Sequence, residues 1–377
     1  MSRKLVTIRK ISALIPMDGY DAVCLAAIDG WTTIVKKSEF IVGSYCVFFE
    51  LDSFIPATDT RFAFLKKTTK FEGQEGYRLK SMKLRSYLSQ GLALPTWFLG
   101  LSNALVEQWY NDQTDISSEF GVIKYDNSIQ ELDQRPGLKS GKPRGSFPSF
   151  VPKTDQERIQ NLTHLWSTLD PETTFEETLK LDGSSMTCYK TLIQPSLFDR
   201  IKSLFGFSGP NYHFGVCSRN LELSREANNI ITFDNQGKSS EYNQSDFWRT
   251  AIKYNIESKL PAGYAVQGEL IGPKIQANHE KVSELQYYIF DVFDINAGLY
   301  LTPLARREFC LTNDLPHVPV TSFEFKPFKL TLHELLSHVE GESMNPGTIS
   351  EGRVYKSNSS QLSFKAISNK YLLKAEQ

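Results

Sequence analysis

Leu179-Lys180-Leu181-Asp182-Gly183-Ser184-Ser185 sets one lysine between two leucines and follows it, two residues later, with Asp-Gly. An amine with an ordinary pKa of ~10.4 is almost wholly protonated at pH 7, so a nucleophilic lysine needs burial, a neighbouring cation or a metal ion to lower that value. The leucines can supply burial, Asp182 offers a carboxylate to a metal or a hydroxyl, and Gly183 lets the backbone turn sharply or approach a ligand. The same residues also read as a strand ending in a solvated Asp-Gly turn, and Lys-x-Asp-Gly alone does not choose between the two. What surrounds the stretch does.

At 377 residues the chain is long for one domain, and two are expected. Lys+Arg number 42 against 43 Asp+Glu, a formal net charge of -1, so a polyanion would have to be met by local basic patches. Cys24, Cys46, Cys188, Cys217 and Cys310 are odd in number and never in Cys-x-x-Cys spacing, which argues against a zinc site or disulfide framework and for a reducing, intracellular compartment. No run approaches the ~18 apolar residues of a membrane span, and Met1-Ser2-Arg3-Lys4 leads into a short alternating segment rather than a signal core, so a soluble protein is expected. The histidines do not cluster at ligand spacing. Ser184 and Ser185 have no histidine partner in register, which argues against a hydrolase.

Upstream of the lysine, Leu5-Ile8, Ala22-Ile28, Trp31-Val35 and Tyr45-Leu51 read as strands punctuated by turns at Met17-Asp18-Gly19, Asp29-Gly30 and Val42-Gly43-Ser44. With further pieces at Tyr77-Lys80 and Gly91-Pro95, they predict a small closed barrel over residues 1–115, an OB-fold ahead of an SH3-like barrel. Between Tyr77 and Tyr87 the chain interleaves Arg78, Lys80, Lys83 and Arg85 with two tyrosines, a pattern suited either to phosphates and stacked bases or to a solvated strand and turn. Residues 116–152 turn rich in Pro, Gly, Ser and charge, clearest in Arg135-Pro-Gly-Leu-Lys-Ser-Gly-Lys-Pro-Arg144, and read as a linker. Lys153–Leu162 reads as a capped helix carrying Arg158. Residues 153–377 then mix strands with helices at Gln244–Tyr254, Leu304–Asn313 and Leu330–Val339 without βαβ alternation, which predicts an α+β domain of mixed, mainly antiparallel sheet.

Beyond Lys180 five further pieces follow in order: Ser218-Arg219-Asn220, Gln267-Gly268-Glu269-Leu270, Ile289-Phe290-Asp291-Val292-Phe293, Glu351-Gly352-Arg353-Val354-Tyr355-Lys356 and Ser363-Phe364-Lys365-Ala366-Ile367. Their joint order resembles the covalent nucleotidyltransferase superfamily of polynucleotide ligases and capping enzymes. Val35-Lys36-Lys37, Phe49-Glu50-Leu51-Asp52-Ser53-Phe54-Ile55-Pro56 and Phe150-Val151-Pro152-Lys153-Thr154-Asp155 resemble, more narrowly, the leader barrel and junction of Naegleria-type RNA ligases. That resemblance spans nearly the whole chain and implies an OB module placed before an adenylyltransferase (ATP-grasp-like ligase) domain.

The resemblance implies ATP as substrate with Mg2+ or Mn2+, and RNA with 5′-phosphate and 3′-hydroxyl ends as partner, acted on by a monomer. Lys180 would be the nucleophile; Asp182, Glu269 and Glu351 would face the ribose or a hydrated metal ion. Gly183 would lie against the nucleotide, Arg219 would hold a phosphate, Phe290 would stack on adenine, and Lys356 and Lys365 would neutralise the α-phosphate. Arg78, Lys80, Lys83, Arg85 and Arg158 would engage RNA. ATP chemistry is thus expected after Lys153 and RNA contacts in the barrel, the two being separable. Many relatives end in Lys-x-Lys, whereas here Lys365 is followed by Ile367, which leaves open what completes that pair, Lys370 included. A DNA ligase or guanylyltransferase of the same superfamily is the alternative enzyme, disfavoured by the leading barrel. A non-catalytic RNA-binding relative is the alternative of another class, disfavoured by the intact Lys180, Glu269, Glu351 and Lys365.

Overall fold

Tyr45-Cys46-Val47-Phe48-Phe49 is apolar at every position because its strand is covered on both faces. Val47 and Phe49 pack with Val6, Ile8, Phe62 and Val106 on one side, while Cys46 and Phe48 pack with Ile28, Trp31 and Val35 on the other. The computed structural model describes residues 3–125, 141–193, 212–225, 232–233, 239–240 and 245–375. Around that central strand the first domain closes into a barrel. Val6–Lys10 pairs antiparallel with Tyr45–Phe49, and the chain then bends so that Ala13–Met17 pairs with Tyr20–Ile28. Tyr20–Ile28 continues through a tight turn into Trp31–Lys36. Leu92–Pro95 pairs with the far side of Tyr45–Phe49, and the Gln90 amide donates to the Thr32 carbonyl at 2.7 Å, which closes the ring.

The second domain holds two sheets. A seven-stranded antiparallel sheet runs Pro143–Ser146, Leu221–Leu223, Tyr212–Cys217, Ser184–Leu192, Tyr264–Ile271, Gln286–Asp294, Leu299–Tyr300. A five-stranded sheet runs Glu157–Arg158, Ser363–Ile367, Gly352–Ser357, Phe175–Lys180, Val320–Phe325. Helix Asp246–Lys253, capped by Ser245, buries Phe247, Trp248 and Ala251 against the first sheet. Helix Leu332–His338, opened by a Thr331/Glu334 capping box, buries Leu335 and Leu336 beneath the second. Among the described residues no helix is long and apolar enough to cross a membrane, and all five cysteines are free and buried.

Two sequence expectations change. Residues 116–152 are not one linker: Ile116, Phe120 and Val122 sit in the barrel core and Ile123–Lys124 adds a strand to its side sheet, whereas Pro143–Ser146 and Val151 belong to the second domain. Positions 126–140, including most of the Pro-Gly-Lys run, lie outside the described residues. Nor does Lys153–Leu162 form a helix. Glu157–Arg158 pairs parallel with Phe364 and Lys365, followed by a 3-10 turn at Ile159–Asn161. A sheet edge offering unpaired backbone groups outcompetes a local capping signal whose first residues are needed as a strand.

Beneath the second domain's cleft lies a buried ionic layer. Glu176 bonds both Arg306 and Arg307, Arg306 approaches Asp291 at 3.9 Å, and Asp291 also holds Lys356. His317 fits this layer only as the neutral imidazole: Nδ1 donates to the Val318 carbonyl at 2.6 Å, leaving Nε2 to accept from Arg306 Nε at 3.0 Å. Burial, reinforced by Arg306, pushes His317 down to about 4. The unfolded chain therefore binds a proton at about pH 6.5 that the folded chain refuses until about pH 4, so stability falls as pH drops through that window, by about 1.4 kcal/mol per unit. Urea unfolding of H317Q at pH 7 and pH 5 should show a smaller acid loss than the parent; equal losses would refute this coupling.

Candidate active site

Lys180 ends the Phe175–Lys180 strand of one sheet and Ser184 begins the Ser184–Leu192 strand of the other. Leu181-Asp182-Gly183 is thus the crossing between sheets, and the cleft opens where they part. Two glycines permit the close approach. A Cβ on Gly183 would stand 2.3 Å from the Leu270 carbonyl oxygen, and one on Gly352, at φ +150°, would stand 2.1 Å from that of Ala366. Gly352 is the register partner of Lys180, which sets the preceding Glu351 beside the lysine.

The cleft encloses about 660 Å³, within the range of small-molecule sites. Lys180 Nζ donates to Glu351 Oε2 at 2.6 Å. Burial works against the ammonium, but Glu351, with Glu269 and Asp182, outweighs it and raises the Lys180 pKa. Burial pushes Glu269 up to about 8 despite Lys180, with Glu351 and Asp182 adding repulsion. Burial also raises Glu351. Three acids around one amine leave negative charge to be balanced, which is the chemistry of a cation site. Yet among the described residues no three His, Cys, Asp or Glu side chains are grouped to hold a metal ion alone. The donors fit a hydrated Mg2+ or Mn2+ held by one or two carboxylates and a nucleotide phosphate.

Gly183, Arg219, Phe290 and Lys365 line the same cleft with Lys180 and the three acids, as do Arg78 and Arg158. Phe290, Val318 and Val354 give it an apolar wall beside the polar cluster. Lys365 Nζ pairs with Asp155 at 3.2 Å, and Asp155 also meets Lys124 of the barrel at 3.5 Å. Arg158 lies beside Lys365 in register, its guanidinium 5.6 Å from the Trp31 ring centroid, with Nη1 buried and without a hydrogen-bond partner.

Lys356 does not line the cleft. It is buried with its Nζ on the Asp291 carboxylate and the Phe290 carbonyl, and desolvation against that ion pair lowers it to about 8. The basic run of the barrel also divides. Arg78 turns into the cleft, paired with Asp52 at 2.9 Å and 4.3 Å from the Tyr125 ring centroid. Lys83 donates to the Leu373 carbonyl at 2.9 Å, Arg85 lies over Tyr20, and only Lys80 is simply exposed. These four do not form one RNA-facing patch, because the Met82–Leu84 and Tyr87–Ser89 hairpin faces the second domain's last helix. Nor is the nucleotide cleft built only from residues after Lys153: Arg3, Asp52, Arg78, Lys124 and Tyr125 also line it. Lys124, His279 and Tyr371 escape sequence reading, and Asp155 enters it only as part of the junction motif, since single polar residues in a strand end, a loop and a last helix carry no local pattern.

A strand ending in Lys180 that opens into an acid-lined cleft, fronted by a small barrel, is the arrangement that the resemblance to polynucleotide ligases implies. An OB-fold domain model matches residues 5–96 and an RNA ligase model residues 173–372. A Naegleria gruberi RNA ligase variant solved with AMP and Mn is 34% identical, covering 99% of both chains at a TM-score of 0.72. A second variant, with ATP and Mn, is 33% identical over 100% of both chains at 0.73, and the same organism's enzyme with PPi is 34% identical over 100% of this chain and 99% of that one at 0.72. No curated protein matches. The chain belongs to the RNA ligase family.

The two lysines should separate experimentally. Lys356→Met strands Asp291 in the buried layer and should cost about 3 kcal/mol in urea unfolding, whereas Lys365→Ala removes a pair with half-exposed Asp155 and should cost under about 1 kcal/mol. Equal costs would contradict the difference in burial.

Proposed function

We propose that this ATP-dependent RNA ligase joins 3′-hydroxyl to 5′-phosphate RNA ends, as in nick repair, through a lysyl-adenylate and an RNA-adenylate. The observation that carries this reading is the 2.6 Å contact of Lys180 with Glu351 inside an acid-lined cleft. Lys180 Nζ forms a bond to the α-phosphorus of ATP, the bond to the β-phosphate oxygen breaks, and pyrophosphate leaves. The amine must shed a proton, and Glu351, in contact with it and raised by burial, is placed to hold that proton. A divalent cation bound among Asp182, Glu269 and Glu351 would offset the carboxylate field that otherwise keeps Lys180 protonated.

Phe290 offers adenine a face, with Val354 and Val318 completing the apolar wall. Lys365, released from Asp155, would neutralise charge on the α-phosphate, while Arg219 at the exposed end of the cleft suits a phosphate of ATP or RNA. Arg78, Lys124 and Arg158 extend the positive lining to the barrel side. The adenylyl group then passes to the RNA 5′-phosphate, and the 3′-hydroxyl displaces AMP. One chain supplies both walls of the cleft, so a monomer suffices.

Labelled ATP with Mg2+ or Mn2+ should transfer AMP to the parent protein as an acid-labile, base-stable adduct, and Lys180→Ala should abolish it while keeping the parent's circular dichroism. Labelling of the alanine variant would sink the assignment. Glu351→Gln should slow adduct formation by roughly 10²-fold, because an amide neither carries the charge nor holds the proton; near-parent rates would reduce Glu351 to a packing residue.

A further inference from the structure

Asp182 lines the cleft, and two residues outside that lining approach its side chain. His279 Nε2 lies 3.3 Å from Asp182 Oδ2, the two side chains being 21% and 18% exposed. Burial and the neighbouring Asp182 carboxylate raise the Tyr371 hydroxyl above its ordinary range, and the His279 and Tyr371 rings meet edge to face with centroids 5.2 Å apart. Neither residue lines the cleft.

Each is delivered by an element that is itself fixed. Tyr371 stands in the Asn369–Ala375 helix, which follows the Lys365-bearing strand at once; its amide donates to Ser368 Oγ, and the Ser368 amide donates to the Glu351 carbonyl at 2.9 Å. Barrel residue Lys83 grips the same helix at the Leu373 carbonyl. His279 sits in the loop whose Gln276 donates to the Gly183 carbonyl at 3.2 Å, next to the buried Glu280 held by Ser343. Two elements distant in sequence thus converge on one carboxylate, each with a donor.

We infer that His279 and Tyr371 are positioning residues, which fix the Asp182 carboxylate by donating to it so that its remaining lone pairs point to the cation and nucleotide. A carboxylate that accepts two such bonds loses its freedom to swing onto Lys180, which lies two residues away and already contacts Glu351. This is the outer support that carboxylate ligands commonly need, and its loss ordinarily costs 10–100-fold in metal affinity or activity. The inference rests on the cleft being the adenylylation site.

The test uses full-length parent, H279A, H279Q and Y371F. Binding of Mn2+ alone, followed by loss of the free-ion electron paramagnetic resonance signal, should weaken about tenfold in H279A and Y371F, as should the rate of AMP transfer, with the KM for ATP within twofold. H279Q restores a donor near the Nε2 position and should recover most of both. Y371F removes a single oxygen and H279Q preserves the loop, so thermal melting within 2 °C of the parent in these two keeps misfolding apart from the effect. Parent-like Mn2+ binding and adenylylation in Y371F and H279A would overturn the inference, as would equal losses in H279Q and H279A. Were the parent itself to take no label, the proposed reaction would fail, while the Mn2+ measurement would still decide the support of Asp182.

Discussion

The contact of Lys180 with Glu351 sets the terms for the rest of the cleft. An ammonium beside Glu351, Glu269 and Asp182 is stable and unreactive, since these acids together outweigh its burial and favour its proton. The site therefore rests charged, and the reaction needs that field to be cancelled when nucleotide arrives. The raised values of Glu269 and Glu351 have the same origin: burial penalises both acids by more than Lys180, with Arg219 beside Glu269 and Lys365 beside Glu351, offsets. The fold makes the arrangement possible through the crossing at Leu181-Asp182-Gly183, which places amine and acids at the lips of two sheets whose cores are packed separately.

Much of this was legible in the chain. Strand alternation located the barrel, the Asp-Gly and Gly-Glu pieces fell at the cleft, and the Pro303–Thr312 helix appeared within a residue of its expected span. What misled was local chemistry read without its partner. Lys356 fits the spacing after Glu351-Gly352, yet its Nζ answers to Asp291, a residue on another sheet that only tertiary structure brings near. The Tyr77–Tyr87 run reads as a basic platform, but Arg78 and Lys83 are claimed by Asp52 and by a helix nearly three hundred positions downstream. Charge pattern states how many cations a segment offers; it does not state which acids will meet them.

The same contacts alter the division between the domains. Asp155 meets Lys365 on the last strand and Lys124 on the barrel, so one carboxylate in the junction ties a cleft-lining lysine to the leader module. Arg158 is gripped in the same way, between Trp31 of the barrel and the strand that carries Lys365. A barrel joined only by a tether would leave nucleotide chemistry indifferent to it. Here Arg3, Asp52, Arg78, Lys124 and Tyr125 of the barrel line the same cleft as Lys180.

The ionic layer beneath the cleft follows from this need for rigidity. Replacing Glu176, Arg306, Asp291 and Lys356 by apolar groups of similar volume would in general cost little or even stabilise, because buried ions lose more hydration than their attraction returns. Such a core, however, would not fix the Gln286–Asp294 strand against Gly352–Ser357 in one register. Lys356 bonds both the carboxylate of Asp291 and the carbonyl of Phe290, so it pins from below the residue whose ring faces the cleft from above. The neutral His317, bonded to Arg306 and to the backbone at Val318, locks the neighbouring wall in the same network. The layer gives up stability in acid and holds the aromatic ring of Phe290 in place on the cleft wall, which another apolar contact would not do.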